Sequence, residues 1–308
     1  MTETFFSTLN QILMMLGFIL IGFFMRKKNI GGDNVSGVLS SLLVNIFAPA
    51  LCLKTFAENF SVRELTHYRL YLLCGIIVLA FAFIIAAFLA NIFGENELQK
   101  DVYMYSFLIP NLGYMGYPIM ESVFGSEMLL KMMIFALPFN IVIYTYGIYI
   151  LNPRHEMNLK AVLNPNIIAM LIGMFIGITE IRLPIFMSEM INSAKACMSP
   201  SAMLLTGFVL GAIPVRPVLL NKKAYIAALI RGVLISGLYF AVMHFLKLPR
   251  DTVIIAAGTL AMPMGLNSIV FPEAFGGDSA TGAKICLVSN IISIITIPLV
   301  FSFLSNFA

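Results

Sequence analysis

Long apolar windows, each closed by charged residues or by proline and glycine, follow one another along the whole chain. They predict ten helical spans, at residues 5–25, 35–56, 70–93, 101–124, 127–151, 164–181, 186–212, 224–246, 252–275 and 279–304. The reason is length: about 20 apolar residues in a helix cross the hydrocarbon core of a bilayer. The loops after spans one, three, five and seven hold Arg26, Lys27, Lys28, Lys100, Arg154, Lys160, Arg216, Lys222 and Lys223, against Arg63, Arg69, Arg182, Lys247 and Arg250 in the remaining loops. Basic residues favour the cytoplasmic side, so both termini are expected outside a bacterial-type plasma membrane. Arg26, Lys27 and Lys28 follow the first apolar window rather than precede it, which reads as a retained span and not a cleaved leader.

Composition sharpens this picture. Of 308 residues, 60% are hydrophobic and 11% charged, and the mean hydropathy is +0.94. Soluble domains run at about 45–50% apolar and about 25% charged, which excludes a soluble globular domain, a disordered chain and a nucleic-acid binder. Cys52, Cys74, Cys197 and Cys286 lie singly in apolar runs with no Cys-x-x-Cys pair, so they read as small apolar residues. His67, His155 and His244 are scattered, so no metal site and no cofactor is expected. Asp33, Asp101, Asp251 and Asp278 fall at window edges and no histidine faces a serine within a span, so an enzyme is not expected.

The chain also repeats itself. Gly22 and Gly177, Pro49 and Pro200, Pro110 and Pro263, Pro118 and Pro272, and Asn140 and Asn290 are each separated by 150–155 positions. The expected domains are a first five-helix repeat over 1–151, a short cytoplasmic connection over 152–163, and a second repeat over 164–308. Five spans is an odd number, so the second repeat inserts upside down relative to the first, an arrangement recurrent in secondary transporters. The fold class is therefore an all-α polytopic membrane protein built from two inverted five-helix repeats.

Spans four and nine are interrupted. Span four contains Pro110, Asn111, Gly113, Tyr114, Gly116 and Pro118; span nine contains Pro263, Gly265, Asn267, Ser268 and Pro272. Proline removes an amide donor and glycine weakens helix further, so both spans break. Backbone freed inside a membrane must be buried in protein or line a wet cavity. Either proline by itself reads equally as a kink; the paired occurrence points to two broken helices that cross. Their N-terminal ends carry partial positive charge and free amides suited to a carboxylate. Pro110, Asn111, Gly113, Tyr114, Pro263, Gly265, Asn267 and Ser268 are thus candidate substrate-binding residues.

With these motifs in hand, the sequence resembles the auxin efflux carrier (PIN-like) family, in its short bacterial malate/malonate permease-type form. Leu108-Ile109-Pro110-Asn111 followed by Met115-Gly116-Tyr117-Pro118 is similar to that family's Leu-x-Pro-Asn and Met-Gly-x-Pro segment. Phe47-Ala48-Pro49-Ala50-Leu51, Leu163-Asn164-Pro165, Ser199-Pro200 through Gly207, and Ala261-Met262-Pro263 resemble its other motifs in order. The resemblance implies a scaffold of spans 1, 2, 6 and 7, a transport domain of spans 3–5 and 8–10, elevator-type movement between them, and a homodimer. Plant members have a long central loop that this chain lacks, so a small dicarboxylate such as malate or malonate is expected rather than an indole acid. An ion or anion channel, or a ligand sensor on the same fold, is the alternative.

Several polar residues remain. Lys195 lies inside span seven, where a charge marks a functional site by default; it either meets a substrate carboxylate, snorkels outward or pairs with Glu189. Ser199 beside it and Asn45, one turn before Pro49, complete the substrate-binding candidates. Asn140, Asn290, Glu121 and Glu273 are candidates for coupling to H+ or Na+, with interhelical bonding or interfacial placement as the competing readings. Lys131 and Lys284 are expected to snorkel to the interfaces. Tyr103, Tyr105, Tyr144, Tyr146 and Tyr149 are expected as interfacial anchors, whereas Tyr114 sits in the break.

Overall fold

The computed structural model describes residues 2–32, 34–61, 65–154, 165–275 and 277–307. The helices are α1 (Thr2–Lys27), α2 (Val35–Asn59), α3 (Leu65–Phe93), α4 (Glu97–Leu108), α5 (Leu112–Phe135), α6 (Leu137–Leu151) and α7 (Pro165–Thr179). They continue as α8 (Ile185–Gly211), α9 (Val215–Leu219), α10 (Lys222–Phe245), α11 (Arg250–Ala261), α12 (Asn267–Phe275) and α13 (Ser279–Phe307). The expected connection over 152–163 falls largely on residues outside those described.

Among the described residues, five helices are long and apolar enough to cross a membrane: α1, α2, α3, α10 and α13. A sixth candidate is the pair α5 and α6, bent by 50°. The other expected spans are not single unbroken apolar helices. α4 and α11 stop after 12 residues each, where the breaks begin, and α7 has 15 residues. α8 is long enough, but its first half carries Glu189, Asn192 and Lys195. Within α5, Gly125 has φ 86° and ψ 174°, a conformation open to glycine alone, and interrupts the helix.

Two helix pairs pack backbone to backbone. A Cβ on Gly22 of α1 would lie 2.2 Å from the Leu204 carbonyl oxygen of α8, and one on Gly207 of α8 would lie 1.9 Å from the Ile19 carbonyl oxygen. Gly173 and Gly177 bring α7 equally close to the carbonyls of Leu53 and Phe60, at the C-terminal end of α2. Small residues at such positions let membrane helices meet without a hydrophobic driving force. α3, α4, α5, α6, α10, α11, α12 and α13 pack into a second body, which meets the first where α13 packs on α1. At its centre, α4 is buried from Val102 to Leu108 and α11 from Thr252 to Ala261. Large apolar side chains instead face outward on α1, α3 and α7, among them Leu20, Ile84, Phe88 and Phe175. That is inside-out for water and ordinary for lipid.

Among the described residues, four turns are wound wider than an α-helix, with i to i+5 bonding: Leu43–Phe47, Leu112–Gly116, Ile143–Gly147 and Ile230–Ile235. Such π turns insert an extra residue and re-aim the side chains around it.

Candidate functional site

The two interrupted segments meet. Pro110 and Met264 form an isolated antiparallel bridge, and the Asn111 amide donates to the Pro263 carbonyl at 2.8 Å. Gly265 permits the approach, since a Cβ there would sit 3.3 Å from the Ile109 carbonyl oxygen. Asn111 lies at φ −73°, ψ 67°, and the Leu112 amide bonds back to the Pro110 carbonyl at 2.8 Å, an inverse γ-turn. The chain then re-enters helix. Two C-terminal ends (α4, α11) and two N-terminal ends (α5, α12) thereby converge, as expected from the sequence. Gly113, Tyr114 and Met115 stand in the first turn of α5, and Leu266 and Asn267 at the start of α12, where a helix leaves its amides without an intrahelical acceptor. These are the orphan donors of a helix N-terminus.

Beside this crossing lies a small cleft of about 90 Å³, lined by Pro110, Asn111, Gly113, Tyr114, Gly265 and Asn267 from the breaks. The opposite wall comes from α2 and α8, through Leu43, Val44, Ala48, Leu51, Cys52 and Met198. Tyr105, Tyr117, Asn140, Tyr144 and Asn166 add hydroxyls and amides. None of these lining residues is charged. Asn111 is 4% exposed, and its side-chain Oδ1 has no partner among the described residues. An amide oxygen so placed is costly unless something meets it. Asn140 Nδ2 donates to the Tyr117 hydroxyl at 3.4 Å, the Tyr105 hydroxyl faces Asn267, and the Tyr144 hydroxyl faces Asn166. Three of the four π turns, at Leu43, Leu112 and Ile143, supply residues to these walls.

Not every candidate is gathered here. Pro263 belongs to the bridge, and Ser268 is fully buried, with its hydroxyl donating to the Gly265 carbonyl at 2.8 Å. Asn45 is exposed and its amide donates to the Ser41 carbonyl of its own helix at 2.9 Å. Asn290 donates to the Cys286 carbonyl at 2.8 Å, away from the cleft. The Glu273 side chain lies outside the described residues. Lys195 does not pair with Glu189: it forms an ion pair with Glu121 of α5. Both line a second cleft of about 400 Å³ with Gln11, Lys54, Ser122, Asn192 and Ser199. Lys54 donates to Asn192 there, and Leu51 and Met198 are walls of both clefts. Lys131 is bound to Glu127 at 2.7 Å and to Asp251 at 2.6 Å rather than simply extended into an interface.

The tyrosine expectation is corrected in part. Tyr105 and Tyr144 line the cleft instead of anchoring an interface, because both stand within a few residues of a break or a π turn. Tyr117 and Asn166 also line the cleft and were not candidates. Arg231 was missed too: it sits in the middle of the window 224–246 and is 0% exposed. The intramembrane-charge argument that singles out Lys195 applies to it with greater force.

Comparison with known families accords with this geometry. A family model described as "Membrane transport protein" matches residues 7–160 and 156–301, nearly the whole chain. The chain belongs to this family. It is the PIN-like family that the crossing motifs resemble, and its members are transporters and not enzymes. No curated protein matches the chain. The family and the outward-facing apolar helices together make the protein an integral membrane transporter.

Proposed function

We propose that this transporter is a secondary carrier of small organic anions that binds a substrate carboxylate at the helix crossing. The observation that carries the reading is the crossing itself: two helix N-termini open onto one cleft, with the Asn111 amide oxygen buried and unpartnered beside them. Such ends attract anions through both their donors and their dipoles. The Asn111 and Asn267 side-chain amides supply further donors. A small dicarboxylate such as malate or malonate is the leading substrate class, its second carboxylate meeting the hydroxyls of Tyr105, Tyr117 and Tyr144. A monoacid with a flat apolar body is the second reading, favoured by the aromatic and aliphatic walls around Tyr114, Leu43 and Leu51.

In this reading the chain crosses the membrane ten times as two inverted repeats, with both termini outside. The pairs α1–α8 and α2–α7 form the scaffold, supported by their glycine-mediated contacts. The second body carries the crossing across the membrane as a unit.

The test is uptake of malate, malonate, succinate, acetate and indole-3-acetate into liposomes, with and without H+ and Na+ gradients. Replacing both Asn111 and Asn267 with alanine removes two hydrogen bonds to a charged group, each worth about 1.5 kcal/mol or more, so apparent affinity falls about 150-fold or more. Saturable uptake with counterflow identifies a carrier; a linear dependence on concentration identifies a channel. Full transport by a folded double variant would falsify the site.

A further inference from the structure

We propose that Arg231 is the fixed positive charge that makes the crossing prefer anions, acting as a positioning residue through the carbonyl end of α11. The inference rests on the carboxylate-binding reading above and adds the origin of its charge preference.

Arg231 occupies the fourth π turn, Ile230–Ile235 of α10. The other three π turns contribute to the cleft walls; this one does not reach the cleft and instead meets the crossing from behind. Arg231 Nη1 donates to the Leu260 carbonyl at 3.0 Å. Leu260 lies in the last turn of α11, which ends at Ala261, two residues before Pro263. The next residue, Gly232, also neighbours the end of α11, since a Cβ there would make ordinary contact with the Ala261 carbonyl oxygen at 3.8 Å. The guanidinium is fully buried, and its Nε and Nη2 have no partner among the described residues. No carboxylate of those residues reaches it either.

A charge held in this way has an electrostatic consequence. Helix N-termini carry about +0.5 and C-termini about −0.5 of an elementary charge. Two of each meet at the crossing and cancel. Arg231 at the C-terminal end of α11 leaves the junction with a net charge of about +1, in surroundings of low dielectric where it is weakly screened. The repeat offset of 150–155 carries Arg231 back onto Ile76–Phe81, where every residue is apolar. The end of α4 therefore has no equivalent cation, and the junction's positive charge has one source. A resident guanidinium also does the work of a bound metal cation, so carboxylate binding needs no sodium.

The experiment uses the full-length wild type and the Arg231→Met and Arg231→Lys variants in liposomes, measuring KM and maximal uptake for malonate and acetate in sodium and in choline media. Wild-type KM is expected to be the same in both media. Arg231→Met is expected to raise KM roughly tenfold or more, the loss larger for dianionic malonate than for acetate, since a tenfold change is a modest electrostatic difference. Arg231→Lys keeps the charge and is expected to restore most of the affinity. Uptake by the wild type with an unchanged KM in Arg231→Met overturns the inference and leaves the carboxylate site standing. Equal losses for both acids that lysine does not rescue assign Arg231 a purely structural role. An obligatory sodium requirement in the wild type overturns the inference without any variant. A wild type that takes up none of the acids overturns the carboxylate reading itself.

Discussion

Asn111 shows how a broken helix releases a side chain for work. Its amide is spent on Pro263 and its carbonyl accepts from the Gly116 amide at 2.9 Å, so the backbone is satisfied while the side-chain oxygen is not. Truncating Asn111 to alanine alone removes no bond that the described protein makes through that oxygen. Its melting temperature is therefore expected to stay within a few degrees of wild type, a shift equivalent to about 1 kcal/mol or less, while substrate affinity falls. Paired thermal-shift and uptake measurements check this, and a large loss of stability would recast Asn111 as a structural residue. Tyr117 and Asn140 offer the complementary case, since they touch each other across the cleft. A double-mutant cycle on substrate affinity with Tyr117→Phe and Asn140→Ala is expected to give a coupling of about 0.5–1 kcal/mol; strict additivity would mean that the two act separately. Asn111 and Asn267 were legible in the sequence because prolines four or fewer positions away mark their helices as broken. Tyr105 was not, because the rule that places tyrosine at interfaces counts depth along an unbroken helix. The outermost residue of a half-helix can lie at the crossing.

At the level of elements, the most informative contact crosses between bodies: Lys195 on α8 pairs with Glu121 on α5. Within the scaffold beside it, Lys54 on α2 reaches Asn192 on α8. Beneath them, Leu51 and Met198 separate the polar cleft from the crossing cleft. Lys195 was visible in the sequence as a charge inside span seven and Glu121 as a coupling candidate, but the partner of Lys195 lies 74 positions away, which no local pattern encodes. The pair is about a quarter exposed on each side, between the regimes of surface and buried ion pairs, and is assigned about 1–2 kcal/mol. If it holds the two bodies together on that face, Glu121→Gln shifts the opening equilibrium by about 5- to 30-fold. Cys52 lines the crossing cleft and reports on this directly. Its labelling by a membrane-impermeant thiol reagent, added from the face of the Lys195 cleft, is expected to accelerate in Glu121→Gln. The exchanged pair Lys195→Glu with Glu121→Lys should slow it again. Labelling that is unchanged in Glu121→Gln would mean that Leu51 and Met198 close that side unaided.

For the molecule as a whole, the question is whether the crossing travels or only its gates move. Both schemes use the same cleft, and the sequence repeat by itself does not separate them. Two contacts on opposite sides of the proposed boundary do. Ser122 of α5 donates to Gln11 of α1 at 3.4 Å, joining the moving body to the scaffold. Lys131 of α5 and Asp251 of α11, 2.6 Å apart, both lie within the moving body. In a background with the four native cysteines replaced, cysteines at 11 and 122 joined by a short thiol cross-linker should abolish uptake, and reduction should restore it. The same linker between cysteines at 131 and 251 should leave uptake largely intact, because a rigid body tolerates an internal tether. Uptake that persists with 11 and 122 joined would mean that α5 stays fixed against α1 through the cycle. Loss of uptake with 131 and 251 joined would mean that the body around the crossing deforms as it works. Only a block confined to the first tether fits a substrate carried across the membrane with the crossing that binds it.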